Sequence, residues 1–171
     1  MIETKNLLRI CNIHPNKKLG QNFIVNSKLI EELVYYAKIE PTEVVLEVGA
    51  GLGYLTEALA NQAKKVITVE IDPRLIKILK TKFHNKDNLE IMSGDILSIK
   101  LPRFDKIVST PPYKISSPLL FKIFGTSFKK AVLVLQEEFA RRLKAIPGTS
   151  EYSRLSVMTQ LRTGVDILDS V

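Results

Sequence analysis

The chain has 171 residues, 45% of them hydrophobic, a formal net charge of +7 and one cysteine, with a sequence pI of about 9.5. That length suits one domain with one sizeable core, and the lack of an eighteen-residue apolar run or an apolar N-terminal signal core gives the expectation of a cytoplasmic monomer with no membrane partner. Cys11 has no partner for an internal disulfide, and with only His14 and His84 beside it there is no zinc-ligand spacing, so no metal is expected.

Residues 1–26 read as a basic, mostly irregular arm, and residues 27–171 as the folded domain. Ser27 is expected to cap a helix carrying Ile30, Leu33, Val34 and Ala37. Residues 43–48 form a β-branched run, followed by glycines and by the helix-forming stretch 54–60. Residues 66–71 give a second strand, Pro73 opens a helix through Leu75, Ile76 and Leu79, and residues 89–92 give a third strand. A fourth strand spans 104–109, Ser117-Pro118 caps a helix through Leu119, Leu120, Ile123 and Phe124, and a fifth strand spans 131–136. Residues 137–145 look helical, Pro147-Gly148 breaks the chain, a further helix covers 153–162, and 165–171 reads as a strand. Strands alternating with helices predict an α/β fold: a mostly parallel sheet with helices on both faces.

The glycine turn Glu47-Val48-Gly49-Ala50-Gly51-Leu52-Gly53 follows the first strand, where an open parallel sheet binds nucleotide-like ligands. Its G-x-G-x-G spacing misses the G-x-G-x-x-G pattern that brings a pyrophosphate to a helix N-terminus, which disfavours NAD. Glu47 would repel a pyrophosphate, whereas the ammonium and sulfonium of S-adenosylmethionine suit it. Glu70 ends the second strand, where a carboxylate can take both ribose hydroxyls. Asp95 follows the third strand and is placed to accept from an adenine amine. Each acid alone reads more readily as a helix cap or a solvated turn residue. Three acids after three successive strands point to a nucleoside cofactor.

Thr110-Pro111-Pro112-Tyr113 follows the fourth strand. Two prolines fix two φ angles and remove two amide donors, leaving the carbonyls of Thr110 and Pro111 as acceptors, while Tyr113 offers a stacking face. A rigid row of acceptors beside an aromatic plate suits adenine or cytosine; by itself the tetrapeptide also reads as a turn with a packed tyrosine. The charge gathers in two places: Lys5, Arg9, Lys17, Lys18 and Lys28, with Glu3 the only acid among the first 28 residues, and then Arg141, Arg142 and Lys144. These groups suit phosphate contacts and equally a solvated surface.

With these motifs in register the chain resembles the class I, Rossmann-like methyltransferases. Lys18-Leu19-Gly20-Gln21-Asn22-Phe23-Ile24 resembles the N-terminal signature of the ribosomal RNA adenine N6,N6-dimethyltransferases, whose members act on adjacent adenosines near the 3' end of small-subunit RNA. Further matches are residues 47–53, 69–72, 94–95, 113–118, 136–142 and 152–157, so the resemblance covers 17–171. It implies S-adenosylmethionine as cofactor, held by Asn22, Ile24, Glu47, Gly49, Gly51, Glu70, Asp95 and Thr110. It implies Thr110, Pro111, Pro112 and Tyr113 as the target-base motif, and ribosomal RNA in a small-subunit precursor as partner, with Lys17, Lys18, Arg141 and Arg142 on phosphates. Two departures are visible. Threonine stands at 110 where the family has an asparagine whose carbonyl accepts from the target amine, and the family's C-terminal helical domain is not in this sequence. These leave two other expectations open: a cofactor- and RNA-binding assembly factor with weakened turnover, and a methyltransferase of large-subunit RNA. A small-molecule methyltransferase is a third, and it would turn over without RNA.

Overall fold

A computed structural model describes residues 26–170. Its strands are β1 (Val44–Val48), β2 (Lys65–Glu70), β3 (Leu89–Ser93), β4 (Lys106–Ser109) and β5 (Lys130–Leu133). They pair in the order β3-β2-β1-β4-β5, every ladder parallel. The helices are α1 (Ser27–Ala37), α2 (Tyr54–Ala60), α3 (Pro73–Lys82), α4 (Ser116–Phe124), α5 (Glu137–Leu143) and α6 (Arg154–Arg162). This is the Rossmann-like α/β architecture expected from the alternation of apolar runs. The chain adds β2 and β3 on one side of β1, then reverses to add β4 and β5 on the other. The reversal opens a crevice beyond the carboxyl ends of β1 and β4.

Two layers of core follow from the period-two alternation of strand side chains. Val45, Val66, Val108 and Val132 face Leu33 and Val34 of α1 and Leu55 and Leu59 of α2. Leu46, Val48, Ile67, Val69 and Ile107 face the other way, onto α4, Leu143 of α5 and Leu155 of α6. Each such side chain contributes about 1.5–3 kcal/mol by leaving water, which holds both helix layers on the sheet.

Four local details differ from the expectations. Asn26, not Ser27, caps α1, its side-chain oxygen accepting from the Lys28 amide at 3.0 Å. A 3₁₀ turn at Tyr113–Ile115 runs straight into α4, so Ser117-Pro118 lies inside the first turn rather than capping it. Strand β5 stops at Leu133, short of the expected end. Residues 165–170 form no strand: an alternating run becomes a strand only by pairing with an edge, and here the Asp169 carboxylate instead accepts from the Tyr36 hydroxyl at 2.8 Å. Residues 1–25 of the expected arm, and Val171, lie outside the described residues.

At the amino end of the sheet, Glu43 is 2% exposed and meets Lys106 at 2.7 Å and Lys129 at 3.0 Å, and it accepts from the Glu40 amide at 2.9 Å. Asp105 joins through Lys129 at 3.3 Å and accepts from the Val44 amide at 2.9 Å. Each buried charge in this network has an opposite charge or a backbone partner.

Candidate active site

The loops leaving β1, β2, β3 and β4 converge at the reversal. Gly49 donates its amide to the Val69 carbonyl at 2.8 Å and sits at φ 79°. A Cβ built on it would lie 3.7 Å from Cδ of Pro112. The glycine turn and the Pro-Pro tetrapeptide therefore lie side by side, although they are far apart in sequence. Ser109 locks this arrangement from below, its buried hydroxyl donating to the Val48 carbonyl at 2.7 Å. Gly53, at φ 80°, leaves no room for a side chain: a Cβ would fall 2.6 Å from Phe83 and 2.8 Å from Leu79. That close approach lets α2 start directly against α3.

Glu70 ties three of the loops together. Its Oε2 accepts from the Gly51 amide at 3.1 Å, and Oε1 accepts from Ile71 and Asp72, each at 2.9 Å. Its own carbonyl accepts from the Gly94 amide at 2.9 Å. Burial pushes its carboxyl above the usual range, the three amides pull it back, and neighbouring Asp72 adds to the rise.

Glu47 is 1% exposed and lies beneath the turn rather than on its open side; it accepts from the Thr56 hydroxyl of α2 at 2.6 Å. Burial raises its carboxyl to about 7, against the hydroxyls of Thr56 and Thr68, and Glu70 reinforces the rise. Among the described residues neither Glu47 nor Glu70 forms an ion pair with a lysine or arginine.

Asp95 is half-buried, and its Oδ1 accepts from the Leu97 amide at 2.9 Å. In the tetrapeptide Pro111 is buried, Thr110 and Pro112 are half-buried, and Tyr113 is 41% exposed. The Pro112 carbonyl accepts from the Ile115 amide at 3.0 Å, whereas no hydrogen bond among the described residues engages the carbonyls of Thr110 or Pro111. Arg141 and Arg142 are exposed on α5, Arg141 paired with Glu137. Asn22, Ile24, Lys17 and Lys18 lie outside the described residues. No group of three or more His, Cys, Asp or Glu among the described residues could hold a metal ion, and no described helix is long and apolar enough to cross a membrane.

Sequence reading missed Thr56, Ser109 and Phe83. Only Thr56 left a signal, a hydroxyl in the first turn of the helix that follows an acid-ended strand. The site's physical character is now clear. Among the described residues, two buried carboxyl groups beside the glycine turn have no paired cation, and two carbonyls next to an exposed aromatic ring accept no hydrogen bond. A nucleoside carrying positive charge fits such a donor set better than a polyphosphate does.

A family profile described as ribosomal RNA adenine dimethylase matches residues 12–171. The chain is 49% identical over 160 residues to a probable ribosomal RNA small subunit methyltransferase A of Thermococcus sibiricus, a match covering 94% of this chain and 58% of that protein. Among solved structures it is similar to a dimethyladenosine transferase from Plasmodium falciparum, with a TM-score of 0.77 and 42% identity over 82% of this chain and 52% of that one. It is also similar to the 23S rRNA methyltransferase ErmE, with a TM-score of 0.69 and 36% identity over 81% of this chain and 57% of that one. The chain thus spans little more than half the length of these proteins, and within that span it belongs to the ribosomal RNA adenine dimethylase family.

Proposed function

We propose that this chain carries the cofactor and target-base sites for transfer of methyl groups from S-adenosylmethionine to N6 of adenosines in small-subunit ribosomal RNA, acting in the cytoplasm as a monomer. The observation that carries this reading is the close approach of the glycine turn and the Pro-Pro tetrapeptide at Gly49 and Pro112, which sets a cofactor floor against a base clamp. S-adenosylmethionine, when bound, supplies an electrophilic methyl on a sulfonium. Gly49 and Gly51 admit it closely, and the remaining acceptor capacity of Glu70 suits a ribose hydroxyl. The Oδ2 of Asp95 suits the adenine amine, and Asn22 and Ile24 complete the contacts that the family resemblance implies. Glu47 acts from below, its negative charge favouring a cationic ligand through the turn.

The carbonyls of Thr110 and Pro111 hold the target amine so that its lone pair leaves conjugation with the purine and faces the methyl in line; Tyr113 stacks on the extruded base. The amine proton becomes acidic only after transfer, so no strong general base is required. Arg141 and Arg142, with Lys17 and Lys18, are assigned to RNA phosphates. Mass spectrometry of adenosine in unmodified small-subunit RNA, after incubation with the protein and S-adenosylmethionine, tests the proposal. Methylated N6 in that RNA is expected. Methylation of large-subunit RNA alone would move the target to the substrate named for ErmE, and cofactor binding without product would favour the second reading.

That second reading is a cofactor- and RNA-binding assembly factor with weakened turnover. Thr110 is the observation that favours it: a half-buried threonine is shorter and branched, and cannot present an amide carbonyl at the same reach.

A further inference from the structure

Asp95 heads a single tight turn in which three amides point back at it. The Leu97 amide reaches its carboxylate at 2.9 Å, and those of Ser98 and Ile99 reach its carbonyl at 2.9 and 3.0 Å. No helix or strand continues from this turn, so the carbonyls at its far end have no backbone ladder to enter. They meet instead the ammonium of Lys122, half-buried on α4, which donates to the Leu97 carbonyl at 2.7 Å and to the Ile99 carbonyl at 2.5 Å. Among the described residues no carboxylate pairs with Lys122. Its charge is therefore directed at this turn alone, where a cation complements the partial negative charge of the carbonyls. Ile96, 3% exposed, anchors the other side of the turn in the core.

Helix α4 follows the target-base tetrapeptide through the 3₁₀ turn Tyr113–Ile115. Lys122 thus joins the loop that carries Asp95 to the helix that carries the base clamp. We infer that Lys122 is a positioning residue, holding the Asp95 turn, and with it the adenine side of the cofactor site, in fixed register with the base clamp. The inference rests on the proposed cofactor site. A lysine serving only to solvate the surface would have no reason to place two donors on two carbonyls of one turn, those of Leu97 and Ile99.

The test is equilibrium titration of S-adenosylmethionine into the 1–171 chain and its Lys122→Met and Lys122→Arg variants, well below their melting temperatures. Lys122→Met should weaken binding about tenfold, the scale of lost charge-assisted hydrogen bonds, and Lys122→Arg should recover most of it. Amide exchange at Ser98 and Ile99 should speed up in Lys122→Met with the rest of the sheet unchanged. In an Asp95→Ala background Lys122→Met should add little, because both act through one turn. If Lys122→Met does not fold, Lys122→Gln, a shorter donor, is read in the same way. Wild-type binding with an unchanged affinity in the variant, or full additivity with Asp95→Ala, would overturn the role of Lys122 alone. A wild-type chain that binds no cofactor would overturn the site reading and the role of Lys122 with it.

Discussion

Strand β1 has a buried glutamate at each end, Glu43 before it and Glu47 at its close, both on the same face of the sheet and both nearly inaccessible to water. Their settings are opposite. Burial would raise Glu43, but hydrogen bonds from Lys106, the Glu40 amide and Lys129 outweigh it and bring the carboxyl down to about 2. Among the described residues Glu47 accepts from the Thr56 hydroxyl, and burial raises it to about 7. The amino end of the sheet is electrostatically closed, and nothing there calls for a ligand. At the carboxyl end no cation among the described residues pairs with the acid directly under the glycine turn, an arrangement that costs stability and favours an incoming cation.

Breaking the closed end should have the largest effect. Glu43→Gln leaves Lys106 buried beside a neutral group and should cost about 3–5 kcal/mol in denaturant unfolding, with cofactor affinity unchanged. The sign with pH also follows: the folded pKa lies below the ordinary 4.5, so this stabilisation is present above that value and is lost as pH falls toward about 2.

Gly53→Ala attacks the open end through packing. Its Cβ would overlap Phe83 and Leu79 at a positive φ, and a loss of about 2–3 kcal/mol is expected. Here cofactor affinity should fall together with stability, because α2 starts at the turn.

Glu47→Gln sharpens the contrast most, because its expected effect on stability has the opposite sign. The folded pKa of Glu47 is raised, so the native state binds the extra proton and wild-type stability should decline as pH rises from about 4.5 to about 7. Glu47→Gln should flatten that decline and gain about 1–2 kcal/mol at pH 8, while weakening a cationic cofactor. In the wild type, affinity for that cofactor should rise through the same pH window as the acid ionises. The smallest effect concerns the base clamp: Thr110→Asn should raise the methylation rate about tenfold, worth about 1.4 kcal/mol, with stability unaltered. An unchanged rate would mean that the Pro111 carbonyl alone suffices.

The sheet was legible because strand runs such as 43–48 and 66–71 are short, β-branched and bounded by glycine or proline, and local chemistry determines them. The glycine turn and the acids were legible for the same reason, since each follows its own strand. What could not be read were partnerships across the fold. Lys106 looks like a polar interruption of an apolar strand until Glu43 is seen beside it, and Ser109 looks like a strand end until the Val48 carbonyl is found above it. Residues 165–170 show the converse, an alternating pattern that pairs with neither edge strand, β3 or β5. Glu47 was expected to face the ligand, and the structure turns it inward onto Thr56, a partner on the following helix that the strand pattern does not reveal.

The proposed ligand of the carboxyl end of β1 is a positively charged nucleoside. Titration calorimetry at pH 8 with S-adenosylmethionine and, separately, NAD tests this most directly. Binding of S-adenosylmethionine at least about tenfold tighter than NAD, weakened by Glu47→Gln, is the expected result. Equal affinity for the two, or an affinity for S-adenosylmethionine that Glu47→Gln leaves untouched, would contradict it.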